Sequence, residues 1–275
     1  MARLSPEFVV RAHREAMAQV RDRVTAYALT AWSAQGSYRD ADVDRLVRLI
    51  APRVEAGQVQ VANLTAAYIA QVATLRGAKG LQAALVDRAA VTGGRGVPAA
   101  DVYRRPAVAV YTALAQGKSF DTAKALGASR LESLVRTDMQ MAQVRQADAS
   151  YRSAGVRFYQ RVLGAGDNCA LCVIASTQRY RVGDLLPIHP GCGCSTDDLE
   201  PGTPVYAAQD GSQRVIDPQL LEDTHARVKA FAGVDDRGGR SPDYRDLIVT
   251  REHGEYGPTL SWRSDRFTGP DALSA

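Results

Sequence analysis

Residues 167–194 read DNCALCVIASTQRYRVGDLLPIHPGCGC. All four cysteines of the chain, Cys169, Cys172, Cys192 and Cys194, fall in this stretch together with His189, one of four histidines. The order is Cys-x2-Cys, a run ending in His189, then Cys-x-Cys. Two close pairs separated by a loop of this size are what a tetrahedral zinc site needs: one pair from a tight knuckle, the second brought back by the fold. Zinc takes thiolate and imidazole readily and has no geometric preference of its own, so four of these five side chains complete its shell. Cys169 and Cys172 form the knuckle; His189, Cys192 and Cys194 compete for the remaining two places.

Two other uses of the cysteines fit less well. Paired disulfides persist mainly in secreted proteins. The opening MARLSPEFVVRAHREA has charges spread through it and no uninterrupted apolar core, so it does not read as a secretory signal. Folding in a reducing cytoplasm is expected, where thiolates are free to take metal. A thioredoxin-like redox pair would sit in a βαβ pattern, and none surrounds this one.

Outward from this stretch, the sequence alternates at Val156, Phe158, Gln160 and Val162, which predicts a strand; Gln178–Val182 is a second candidate. The expectation over residues 151–200 is a small β module in which zinc replaces a core that so few residues cannot supply.

The N-terminal part, residues 1–150, reads as long helices. Ser5-Pro6-Glu7 is a helix start, with hydroxyl cap, proline at the first helical position and a carboxylate near the positive dipole end. Val10, His13, Met17, Val20, Val24 and Tyr27 then repeat at three-and-four spacing toward Gly36. His13 lies on that stripe and reads as a core residue, not a ligand. Asp40 is a candidate cap for a second helix running to Gly77, with Gly57 a candidate break or bend. The two stripes predict an antiparallel helical hairpin.

The glycine-rich VTGGRGVP lacks the Gly-Lys-Ser/Thr of a phosphate-binding loop and reads as a loop. Helix resumes near Ala99, with Pro106 a candidate division and Gly117 a stop. Ser119 caps a long helix to about Ser150. Its Arg136, Asp138, Gln140, Gln143 and Gln146 read as a solvated or partner-facing surface. Residues 201–275 predict a partly helical extension (Pro218–Phe231) followed by an irregular tail that docks on its own domain or is ordered by a partner.

Of the 275 residues, 45% are apolar and 23% charged, ordinary for a globular chain, and the net charge is +4. That balance leaves contact with nucleic acid open without arguing for it. No apolar run is long enough to span a membrane. No nucleophile-elbow or His-Glu-x-x-His pattern occurs, and no catalytic residue is assigned.

Residues 135–194 resemble the phage Mu F-like minor head protein family, also called the phage head morphogenesis family, in its actinobacterial-virus type. Arg136-Thr137-Asp138 is similar to the family's helix signature, and Phe158-Tyr159-Gln160-Arg161 occupies its strand. Asp167, Cys169 and Cys172 match the knuckle with one residue fewer before the first cysteine. Tyr180 falls where an aromatic is common, and His189-Pro190-Gly191-Cys192-Gly193-Cys194 matches the closing motif. The family usually has Arg where this chain has Gly193.

The resemblance implies a minor capsid protein of the virion, near the portal and inside or at the wall of the capsid. Its partners would be portal or major capsid protein, with contact to packaged DNA left open. The competing expectation is a zinc-containing phage enzyme, a capsid maturation protease or a nuclease. The fold class expected is mainly α: helical hairpins, then a small zinc-stapled β module and an irregular C-terminal tail.

Overall fold

The computed structural model describes residues 6–77, 84–163, 170–176, 178–186, 188–189, 193–198 and 248–263. Helices α1 (Pro6–Ser33) and α2 (Asp40–Leu75) form the expected antiparallel hairpin. The cap of α2 differs from expectation. Extended Arg39 precedes the helix without a side-chain cap, and Asp40 and Asp42 place carboxylates in its first turn, where the dipole favours them. Ser37 Oγ donates to the Asp42 carboxylate. Helix α2 continues unbroken through Gly57. A Cβ there would stand 2.9 Å from Val24 Cγ2 and 3.1 Å from Met139 Sδ, so the glycine lets three helices approach.

Asp87 caps the short α3 (Arg88–Thr92), accepting from Ala90 N at 3.1 Å. Helix α4 (Ala99–Ala115) runs undivided through buried Pro106. Ser119 caps α5 (Phe120–Ser153) as expected, accepting from Thr122 N at 3.3 Å. Helix α5 packs against α1, α2 and α4. Val24, Ile50, Val61, Val102, Leu131, Leu134 and Met139 are among the buried residues of this core. Each such side chain contributes about 1.5–3 kcal/mol on leaving water.

The burial of α5 overturns the surface reading of its polar residues. Thr137, Asp138, Gln140, Gln143, Gln146, Asp148 and Ser150 are all buried. The reason is position: the helix lies among the others, so no side of its second half faces solvent broadly. Arg136 alone of that set is half-exposed, paired with Glu132 at 2.9 Å.

After α5 come β1 (Phe158–Val162), α6 (Ala170–Ser176), β2 (Arg179–Arg181) and β3 (Ser195–Asp198). Their antiparallel sheet has the order β2-β1-β3, with Tyr159 opposite Tyr180 and Asp198. The first two strands were expected; β3 was not, because its STDD lacks a β signature. A bidentate pair from Arg76 to Asp197, at 3.1 and 2.9 Å, ties the end of α2 to β3.

The tail is not irregular throughout. Strands β4 (Ile248–His253) and β5 (Gly257–Trp262) pair as a hairpin, Ile248 opposite Trp262 and His253 opposite Gly257. Aromatic spacing hid it: Tyr256 sits in the turn and Trp262 at the far end, so neither advertises a strand. Gly257 leaves the turn at φ +73°, the left-handed conformation glycine adopts freely. The helix expected at Pro218–Phe231 lies outside the described residues.

One apolar cluster joins Val9, Tyr68, Ile69, Val72, Val144 and Tyr151 of the helices to Tyr159, Leu186, Ile188 and Tyr256. Helices and β module therefore share a core across residue 150. Beside it His13 is buried and stacked on Tyr68, ring centroids 4.2 Å apart, the core placement its stripe predicts. Burial, with Arg14 adding to it, lowers its pKa to about 4.

Two outcomes follow from this packing. Gly127 has Trp32 Cζ2 only 2.3 Å from where a Cβ would be. Gly127→Ala therefore lowers stability by about 1–3 kcal/mol in urea denaturation followed by tryptophan fluorescence, against the gain of about 1 kcal/mol that helix propensity alone gives. Second, neutral His13 binds no proton between about pH 6.5 and 4 while the unfolded histidine does. Stability is present above that window and lost as pH falls through it. His13→Phe flattens that part of the pH–stability curve, measured as urea midpoint against pH.

Candidate metal centre

Helix α6 has Leu171, Ile174 and Ala175 clustered with Ile248 and Leu260 of the hairpin. Cys172 lies between them in sequence, with its Sγ 3.0 Å from Nε2 of His189. Cys194, immediately before β3, joins Cys172 in a buried cluster with Leu163. Both thiols are free of disulfides. Strand β1 brings Arg161 to the same place: the residue is 2% exposed, with Nη1 3.8 Å from Cys172 Sγ. Tyr180 of β2 donates to the Ala175 carbonyl at 3.1 Å, and burial pushes its phenol up.

A guanidinium, two sulfurs and an imidazole are thus buried in one region. Of the five predicted ligands, Cys172, His189 and Cys194 lie in this region, while Cys169 and Cys192 lie outside the described residues. Among the described residues, no three His, Cys, Asp or Glu side chains converge as a ligand set. The donors nevertheless fit zinc in kind. Two ligand atoms on one tetrahedral zinc, sulfur and imidazole nitrogen, stand about 3.5 Å apart; Cys172 and His189 stand 3.0 Å apart, so metal would spread them by about half an ångström. Gly193 has its own reason to be small. Arg21 of α1 places Nη1 3.0 Å from the position of a Cβ there, so a guanidinium from the helices approaches the closing motif.

No family model, no curated protein and no solved structure matches this chain.

A second polar cluster escaped the sequence reading. Arg95, in the glycine-rich loop, pairs with Asp138 of α5 at 2.6 Å; the two side chains are 5% and 6% exposed. Tyr103 of α4 donates its hydroxyl to the same carboxylate. Burial pushes the Asp138 carboxyl up while the Arg95 guanidinium pulls against it. Burial and the neighbouring carboxylate together push the Tyr103 phenol well up, so it stays a donor. Arg95 also reaches Glu255 in the β4–β5 turn at 3.3 Å and lies over the Tyr256 ring, 4.7 Å from its centroid. Arg105 of α4 grips Glu255 with two bonds, 2.7 and 2.5 Å, which hold its carboxyl below the ordinary range.

Sequence could have pointed here. Asp138 stands in a helix whose neighbouring turns carry Leu134, Val135, Met139, Met141 and Ala142 on several sides, a pattern of all-round burial and not of one wet face. Asp138→Asn should cost about 3 kcal/mol, because it leaves a buried guanidinium short of its counter-charge. Equilibrium urea unfolding measures it; a loss under about 0.5 kcal/mol is what a surface carboxylate would give.

Proposed function

We propose that this chain is a minor capsid, or head morphogenesis, protein of a tailed bacteriophage, and that it binds portal or major capsid subunits during head assembly. Structural zinc staples its β module, with ligands drawn from Cys169, Cys172, His189, Cys192 and Cys194. The observation that carries the reading is the 3.0 Å approach of Cys172 Sγ to His189 Nε2, seventeen residues apart. It joins the first half of the cysteine stretch to the second, which supports the reading. Zinc supplies cross-linking there; the chain's own contribution is to bury the donors and set Arg161 beside them.

A thiol and an imidazole in contact also suit a nucleophilic enzyme. Burial weighs against it: Cys172 is 2% and His189 5% exposed, and reactive thiols are partially exposed. No helix of the described residues is long and apolar enough to cross a membrane. The large half-polar faces of α1 and α2 suit protein partners better than a reaction pocket.

Purified under reducing conditions, the protein should hold about one zinc per chain by elemental analysis. Cys172→Ser should lose it and gain protease cuts between residues 163 and 200. Coexpressed with the portal and major capsid proteins of the same genome, it should copurify with one of them and leave both uncut. Absence of metal with paired disulfides would sink the zinc assignment. Failure to associate with either protein would sink the assembly role, and cleavage of the capsid protein would replace it with the protease.

A further inference from the structure

His189 follows directly on a backbone link between the cysteine module and the β4–β5 hairpin. Ile188 N donates to the Pro258 carbonyl at 3.1 Å, and Leu260 N donates to the Ile188 carbonyl at 2.8 Å, a parallel bridge to β5. The other near ligand is referenced to the same hairpin. Helix α6, which carries Cys172, packs Leu171, Ile174 and Ala175 against Ile248 and Leu260. Two candidate ligands on separate segments thus take their spacing from one element that itself holds no candidate ligand. The far end of that element is pinned to the helical bundle, by Glu255 to Arg105 and Arg95 and by Tyr256 beneath Arg95.

We infer that the hairpin is a positioning element of the metal centre, and that metal occupancy and docking of the hairpin turn on the bundle are one coupled equilibrium. The inference rests on the zinc reading of the site. Its physical basis is preorganisation. A metal gains most from ligands already held at the right separation, and residues that orient ligands without touching the metal change its affinity. Releasing Glu255 from Arg105 lets the turn leave the bundle, loosens β5 from Ile188 and so frees His189 relative to Cys172. Linkage makes the effect reciprocal: metal joining Cys172 to His189 holds α6 and Ile188 together and, through them, the hairpin they both touch.

Four full-length proteins test it: wild type, Glu255→Ala, Arg105→Ala, and Arg104→Ala as control. Arg104 neighbours Arg105 on α4 but pairs with Asp44. Zinc content is measured first, then zinc affinity by competition with a chromogenic chelator, with helical circular dichroism reporting folding. Glu255→Ala and Arg105→Ala should bind zinc about ten-fold more weakly than wild type, and Arg104→Ala should bind it equally. The second measurement needs no variant: chelating zinc from wild type should speed amide hydrogen exchange across residues 249–262. Bound zinc with equal affinity in all four proteins, or exchange unchanged on chelation, overturns the coupling and leaves the zinc site standing. A wild-type protein that binds no zinc overturns the metal reading and the coupling with it.

Discussion

A carboxylate and a guanidinium, Asp138 and Arg95, face each other out of water where the helices meet the hairpin turn, and the surrounding architecture is what makes that tolerable. The pair draws in Tyr103 from α4, Glu255 from the hairpin turn and the ring of Tyr256. Four separate stretches of chain thereby meet at one charge. Desolvating such a pair is costly, and its attraction offsets that cost only when the remaining donors and acceptors are satisfied. The hydroxyl of Tyr103 and the carboxylate of Glu255 do that. A polar cluster of this kind contributes to choosing one arrangement of helices more than to raising stability.

The same constraint explains the make-up of α5. A helix packed by α1, α2 and α4 along its length and by the β module at its end would ordinarily be apolar all round. This one instead buries glutamines, aspartates and threonine, and several find internal partners. Gln146 donates to the Ala84 carbonyl, Asp148 accepts from Gly183 N, and Thr137 donates to the Ser133 carbonyl.

Much of the helical half was legible because periodicity and caps are local signals. Pro6, Ser119 and Gly117 each act through neighbouring backbone, so they mark α1, α4 and α5 at nearly the right residues. Within the stretch that the cysteine spacing singled out, Cys172 stands beside His189 and clusters with Cys194. What stayed hidden depends on distant partners. Asp138 looks like any surface carboxylate until Arg95, forty-three residues away, is placed against it. Strand β3 exists because β1 offers an edge, and STDD carries no preference of its own. Gly57 reads as a candidate break, whereas it and Gly127 are each where another helix comes too close for a side chain.

The reach between Arg95 and Glu255 spans 160 positions along the chain. Contacts so far apart in sequence form late, since the entropy of closing the intervening loop must be lost before they give anything back. During synthesis the helices can collapse while the ribosome is still making the hairpin. For that interval the Arg95 side of the bundle is open to water and Ile188 lacks its partner strand. Closure of that side therefore waits on the hairpin, and a chain stalled before it leaves the Arg95 side open to proteases and to wrong association.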